Sequence, residues 1–188
     1  MSRVFFTSDL HLDHKRVIEY SKRPFGTVEE MNEHLISNWN SVVGRGDRVY
    51  VLGDFSLGKP DRALWFGRRL MGQKFLVAGN HDEGSRAHYE SADSPFIWVK
   101  DVAYLTVEAQ KIMLCHYAML TWRSSHHGSW MLHGHSHGSL PDDPGARRLD
   151  VGVDVPAWNY TPVSFEQIKK AMSKKRFMAV DHHKEAID

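Results

Sequence analysis

Apolar and polar positions come in alternating blocks along the chain. Val4-Phe5-Phe6 is a short apolar run that ends in the polar stretch Thr7-Ser8-Asp9. Thr27, with Glu30 three residues on, spells a helix-opening capping box. Met31, Leu35, Trp39, Val42 and Val43 then recur at helical spacing and predict one apolar face. Gly44-Arg45-Gly46-Asp47 stops that helix, and the β-rich run from Arg48 to Leu52 leads into Gly53-Asp54. A weaker helical pattern covers Leu64 to Met71, and a strand from Lys74 to Ala78 leads into Gly79-Asn80-His81-Asp82. Three strands separated by two helices predict a βαβαβ unit and a largely parallel sheet.

The second half is patterned differently. Val102 to Val107 and Lys111 to Cys115 are β-rich runs separated by Glu108-Ala109-Gln110, which predicts a hairpin. Trp130 to Leu132 leads into Gly134-His135-Ser136-His137, and the Val-rich run Leu149 to Val155 predicts a further strand. Ser164 with Gln167 forms a second capping box, and Val163 with Ile168 its hydrophobic staple. The chain turns basic and polar from Lys174. A single domain over residues 1–173, followed by a frayed tail over 174–188, is therefore expected.

The length of 188 residues suits one core, and with 41% hydrophobic and 25% charged residues the composition is that of an ordinary globular protein. Lys plus Arg number 24 against 23 Asp plus Glu, which argues against a nucleic-acid binder built on bulk positive charge. No apolar run has the ~18 residues of a membrane span. The N-terminal residues enter a strand directly, so neither a membrane partner nor a signal peptide is expected, and a cytoplasmic location is. The lone Cys115 excludes an internal disulfide framework and a Cys-rich zinc module. Preceding His116 on a strand, it reads as a small core residue.

Histidine is over-represented: 13 in all, six of them between His116 and His137. The chemistry-bearing residues cluster just after strands. Asp9-x-His11 follows the first, Asp54 the second, Asn80-His81 the third, His116 the hairpin's second arm, and His135-x-His137 a later strand. Ligands of open α/β sheets bind at the carboxyl ends of strands, so five strand ends would bring Asp9, His11, Asp54, Asn80, His116, His135 and His137 to one rim. Carboxylate, imidazole and amide oxygen without thiolate suit divalent ions such as Mn²⁺, Fe²⁺ or Zn²⁺, and seven ligands suffice for two of them. The x in each motif would place both ligands on one face of a strand.

These motifs, in this order, resemble the calcineurin-like metallophosphoesterases. Arg23-Pro24-Phe25, Trp39-Asn40 and Val151-Gly152-Val153-Asp154 are similar to a small single-domain bacterial and phage branch of that family. One departure is Ala118, where the family pattern has a proline two residues after the histidine. The resemblance implies a four-layer αββα sandwich of two mixed sheets flanked by helices. It implies that Asp9, His11 and His137 hold a first metal, that Asn80, His116 and His135 hold a second, and that Asp54 bridges them. His81 would face the substrate, oriented by Asp82. The implied activity is hydrolysis of small phosphodiesters or phosphomonoesters by in-line attack of a metal-bound hydroxide, with manganese the first choice among Mn, Fe, Zn, Ni and Mg. Alternatives left open are a nuclease or a protein or nucleotide phosphatase on the same site, and a non-catalytic metal-binding scaffold. His14, Arg23, Trp122 and Arg123 are the candidates for contact with the substrate. His34, His88, His126, His127 and His133 read as structural.

Overall fold

The computed structural model describes residues 2–176 and 178–180. Two mixed sheets pack face to face. The first has the order β4-β3-β2-β1-β9, with β1 (Val4–Thr7), β2 (Arg48–Val51), β3 (Gln73–Val77) and β4 (Phe96–Lys100) parallel and β9 (Val163–Ser164) antiparallel at the edge. The second has the order β5-β6-β7-β8. Its expected hairpin of β5 (Val102–Val107) and β6 (Gln110–Cys115) is followed by β7 (Trp130–His133) and β8 (Arg148–Asp150), both parallel to β6.

Side chains alternate across the strands as a two-sided sheet requires. Val4, Phe6, Tyr50 and Val77 of the first sheet meet Ala103, Ile112, Leu114, Trp130 and Leu132 of the second. Phe5, Val49, Val51 and Leu76 point the other way, onto helices α2 (Val28–Val42) and α3 (Pro60–Arg69), where Met31, Leu35, Trp39 and Phe66 are buried. The outer face of the second sheet buries Met113, Cys115, Met131 and Trp122 under the segment that follows β6, which carries one 3-10 turn, Ser125–His127. Cys115 is a core residue there, as expected.

Thr27 caps α2 by accepting from the Glu30 backbone, but the Glu30 carboxylate reaches back to the Gly26 N–H rather than to Thr27. Pro60 starts α3 four residues before the apolar pattern does, because proline at the first helical position has no N–H to leave unpaired. The capping box of α5 (Phe165–Met172) is complete, with Val163 and Ile168 in one cluster. Elements that lack a periodic signal include α1 (Lys15–Tyr20), the single turn α4 (Arg86–Tyr89), β4 and the two-residue β9. The expected strand Leu149–Val155 is cut to Arg148–Asp150, after which the chain bridges Ser8 at Gly152 and turns. The start of the basic tail is held rather than frayed. Lys175 Nζ donates to Asp142 and to the Arg148 carbonyl, and Arg176 and Met178 N–H groups pair with Pro144 and Gly145. Residues 181–188, the rest of the expected tail, lie outside the described residues. Among the described residues, no helix is long and apolar enough to cross a membrane.

Candidate metal centre

The predicted residues do meet on one rim, and backbone hydrogen bonds beyond the strand ends show how. The β1–β2 pairing is continued by loop contacts, Asp9 N–H to the Gly53 carbonyl (3.0 Å) and His11 N–H to the Asp54 carbonyl (2.9 Å). Gly134 N–H bonds the His116 carbonyl at 3.0 Å and joins the two loops of the second sheet. Small residues make this approach possible. A Cβ on Gly134 would lie 1.9 Å from Ser8 Oγ and 2.4 Å from Asp9 Oδ2, and one on Gly53, whose φ is +95°, would lie 2.3 Å from His116 Nδ1.

Asp9-x-His11 and His135-x-His137 are not strand pairs, which corrects the expectation drawn from strand alternation. β1 ends at Thr7 and β7 at His133, so both motifs lie in loops. Asp9, His11, Asp54, His135 and His137 all have left-handed backbones, with φ of 57°, 51°, 54°, 67° and 48°. Each costs on the order of 1 kcal/mol for a residue with a Cβ, and such strain gathers where surrounding contacts enforce it.

The donor atoms converge. Asp54 Oδ2 stands 3.4 Å from His11 Nε2 and 3.5 Å from His116 Nε2. Asn80 Oδ1 is 3.1 Å from His116 Nε2 and 3.1 Å from His135 Nδ1. Asp9, His11 and His137 form one set of mutually close ligand atoms, and Asp9, Asp54 and His116 form another. Their protonation argues for a cation. His116 Nδ1 lies 2.7 Å from the Leu52 carbonyl, which can only accept, so the ring's proton sits there and Nε2 turns a lone pair toward two oxygens. His11 Nε2 is buried with no hydrogen-bond partner among the described residues. Lone pairs facing lone pairs in a buried pocket repel unless a positive charge lies among them, and a divalent ion fits this N/O set.

Residues 2–158 match the family described as calcineurin-like phosphoesterase. The chain belongs to that family. It is 33% identical over 179 residues to an uncharacterized protein of Methanocaldococcus jannaschii, covering 93% of each chain. It is 30% identical over 188 residues to the gene 66 protein of Mycobacterium phage L5, covering 84% of this chain and 88% of the phage protein. A solved structure of a protein of unknown function from Aquifex aeolicus shares the fold at a TM-score of 0.67 and 23% identity, over 91% of this chain and 100% of that one. The expected architecture of two mixed sheets with helices is thus the fold of this calcineurin-like phosphoesterase.

Around these converging side chains of the family member, four expected contacts differ. Asp82 does not pair with His81. Its fully buried carboxylate accepts from the backbone N–H groups of Asp54 (2.8 Å), Phe55 (3.0 Å) and Gly79 (2.8 Å), tying the β2 and β3 loops together. Burial, against those N–H bonds, pushes its pKa to about 6. His81 is exposed in the cleft, its backbone N–H held by Asp54 Oδ1 at 2.9 Å and its ring 5.3 Å from that of His11. Trp122 and Arg123 are not in the cleft. Trp122 is buried under the second sheet and donates to the Ser129 carbonyl, while Arg123 lies over the Tyr104 ring, because apolar surface there needs a cover. His14 does line the cleft, with its Nδ1 3.2 Å from His11 Nδ1.

Arg23 is also not a substrate contact. It is buried behind Asp9, where it bonds Asp154 twice at 2.7 Å, the Leu10 carbonyl at 2.9 Å and the Asp9 carbonyl at 2.6 Å. Asp154 is the residue the ligand motifs miss. Its Oδ2 lies 2.6 Å from His137 Nδ1, so the proton sits between them and His137 Nε2 is aimed toward Asp9. Carboxylates of this kind orient a ligating imidazole and raise its basicity. Burial opposes a charged His137, but the Asp154 bond and the charges of Asp9 and Asp154 raise its pKa above the usual value.

Burial, with Asp54 and Asp150 adding and His137 opposing, pushes the Asp9 pKa up to about 8. The metal-free protein therefore keeps that proton at neutral pH, and a cation must displace it. Below pH 8, loading should release a proton from Asp9, joined at the acid end by one from His137, so affinity should rise at least about tenfold per pH unit toward that value. Because the unfolded carboxyl ionises near 3.8, the same group makes the metal-free fold less stable as pH rises through the window from there to about 8. Calorimetric titration with Mn²⁺ at pH 6, 7 and 8 in buffers of different ionisation enthalpy checks this; pH-independent affinity without proton release would contradict it.

Proposed function

We propose that the protein is a dinuclear metal-dependent phosphoesterase that hydrolyses small phosphodiesters, phosphomonoesters or both. The observation that carries the reading is the convergence of lone-pair donors, with the Asp54 carboxylate between two imidazole nitrogens. In this reading Asp9, His11 and His137 hold one ion and Asn80, His116 and His135 the other, with Asp54 shared. Two such cations supply Lewis-acid charge to the phosphoryl oxygens and lower the pKa of a water. The N/O donor set without thiolate suits manganese. A cytoplasmic setting keeps Cys115 a thiol.

The chain's own residues do the remaining work. His81, exposed beside the donor set and held by its backbone, is placed to hydrogen-bond a phosphoryl oxygen or give a proton to the leaving group. Asp82 keeps the Asp54 and Asn80 loops at fixed separation through three backbone N–H groups. Arg23 and Asp154 fix the His137 tautomer. The open cleft above these groups leaves room for either ester class.

Hydrolysis of bis-p-nitrophenyl phosphate beside p-nitrophenyl phosphate tests the reading. Turnover that requires Mn²⁺ and vanishes when a chelator strips the protein is the expected result, and the ratio of the two rates assigns diester or monoester preference. Metal bound at full stoichiometry with no turnover of either compound would favour the scaffold.

A further inference from the structure

The cleft over the donor set has a volume of about 830 Å³, far more than one phosphoryl group needs and within the range of whole small-molecule sites. Histidines form one part of its lining and Ser136 and Ser139 of the loop after β7 another; α1 and the turn after it supply a whole wall, through Arg16, Tyr20, Ser21 and Lys22. No carboxylate is among the lining residues. The arginines Arg62, Arg69 and Arg86 pair with acidic side chains, whereas Arg16 and Lys22 enter no such ion pair among the described residues and are exposed. Tyr20 is 69% exposed, with its ring edge-on to His14 at 6.5 Å.

This wall is rigid at both ends. Before α1, Asp13 and Asn32 exchange two hydrogen bonds, at 3.0 and 2.6 Å. After it, Arg23 N–H bonds the Ile18 carbonyl at 2.9 Å and Lys22 N–H the Glu19 carbonyl at 3.3 Å, the Schellman closure. Lys22 occupies the left-handed position of that closure, with φ of 51°, where glycine is the usual residue. A lysine stands there against its backbone preference, and the same turn sends Arg23 inward to Asp154 and leaves Lys22 on the cleft.

We propose that α1 and its closing turn are a recognition arm, in which Arg16 and Lys22 bind a phosphate that is not hydrolysed and Tyr20 stacks on a planar ring. The preferred substrate is then a small nucleotide carrying a second phosphate. The proposal rests on the phosphoesterase reading for the hydrolysed group. Two cations fix a phosphate as charge-assisted donors do, and a tyrosine face accepts any base.

Calorimetric binding to the Mn²⁺-loaded protein tests it, with a nucleoside bisphosphate phosphorylated at both ends of its ribose, the corresponding monophosphate, and inorganic phosphate. The bisphosphate should bind at least ~10-fold more tightly than the monophosphate. Arg16→Ala and Lys22→Gly should each bring that ratio toward one, while Lys22→Gly holds or raises the thermal midpoint because it relieves the left-handed lysine. Tyr20→Ala should weaken both nucleotides alike, by about tenfold, without moving phosphate. Lys170→Ala, on α5, should leave the ratio as it is. Equal affinity for the two nucleotides in the wild type, or a ratio untouched by Arg16→Ala and Lys22→Gly, overturns the proposal. Tighter binding of a short single-stranded oligonucleotide than of the bisphosphate overturns it in favour of a strand-binding wall. Failure of the underlying reading shows elsewhere, as absent turnover of bis-p-nitrophenyl phosphate, whatever the binding ratio.

Discussion

Asp54→Asn is expected to lower phosphoester hydrolysis on the order of 10³-fold and to weaken both metal sites at once. The substitution keeps the shape. The amide oxygen can still accept from the His81 backbone, now 2.9 Å from Asp54 Oδ1, and Asp82 still holds the Asp54 N–H. What disappears is the negative charge that Asp54 places between His11 and His116. Burying a carboxylate is costly without a cation, so the metal-free variant should unfold at the same temperature as the wild type or higher. Its stabilisation by Mn²⁺ should be the part that is lost. Metal content by plasma mass spectrometry, rates on bis-p-nitrophenyl phosphate and melting with and without Mn²⁺ check all three. Full metal content with a normal rate would show that Asp54 is not shared between sites.

The second large effect is on the fold beneath the site. Arg23→Met should destabilise the protein by about 3–5 kcal/mol, measured by urea unfolding, because it leaves the buried Asp154 carboxylate with His137 as its one remaining partner among the described residues and without its guanidinium. The side chains of Arg23 and Asp154 are 0% and 4% exposed, so solvent cannot take over. The Leu10 and Asp9 carbonyls lose their donors as well. Arg23→Lys should not rescue stability, since one ammonium cannot reproduce a two-point bond to a carboxylate together with two carbonyl contacts. Adding Asp154→Leu to Arg23→Met should recover part of the loss, because the unpaired charge goes with it. Little loss in the single variant would mean that water reaches Asp154 in solution.

Some of this architecture was legible from local patterns and some was not, for identifiable reasons. The helix at Val28–Val42 announces itself because its buried face recurs at Met31, Leu35 and Trp39. The six-residue α1 is too short to show a period, and one buried residue, Val17, anchors it. β4 escapes notice because, at a sheet edge, all of its residues but Phe96 are exposed or half-exposed. Arg23 and Asp154 stand out in the sequence as members of two short motifs, yet nothing local says that they touch. A buried arginine and a surface arginine look alike until the fold places one 131 residues away in sequence from its partner.

By itself, the sequence determined which polar residues gather at the rim. Five motifs, each placed after an apolar run, name the carboxylates, imidazoles and amide that meet at the rim, because strands end where apolar periodicity ends and parallel strands end on one side. The tertiary structure decided what each polar neighbour does. It made Arg23 a support for His137 instead of a substrate contact, turned Asp82 onto backbone N–H groups instead of His81, moved Trp122 and Arg123 away from the cleft, and brought Arg16, Tyr20 and Lys22 onto it. The physical reason is the same throughout. A metal ligand is specified by the chemistry of its own atoms, whereas the role of an arginine, an aspartate or a tryptophan depends on burial and on partners that only long-range packing supplies.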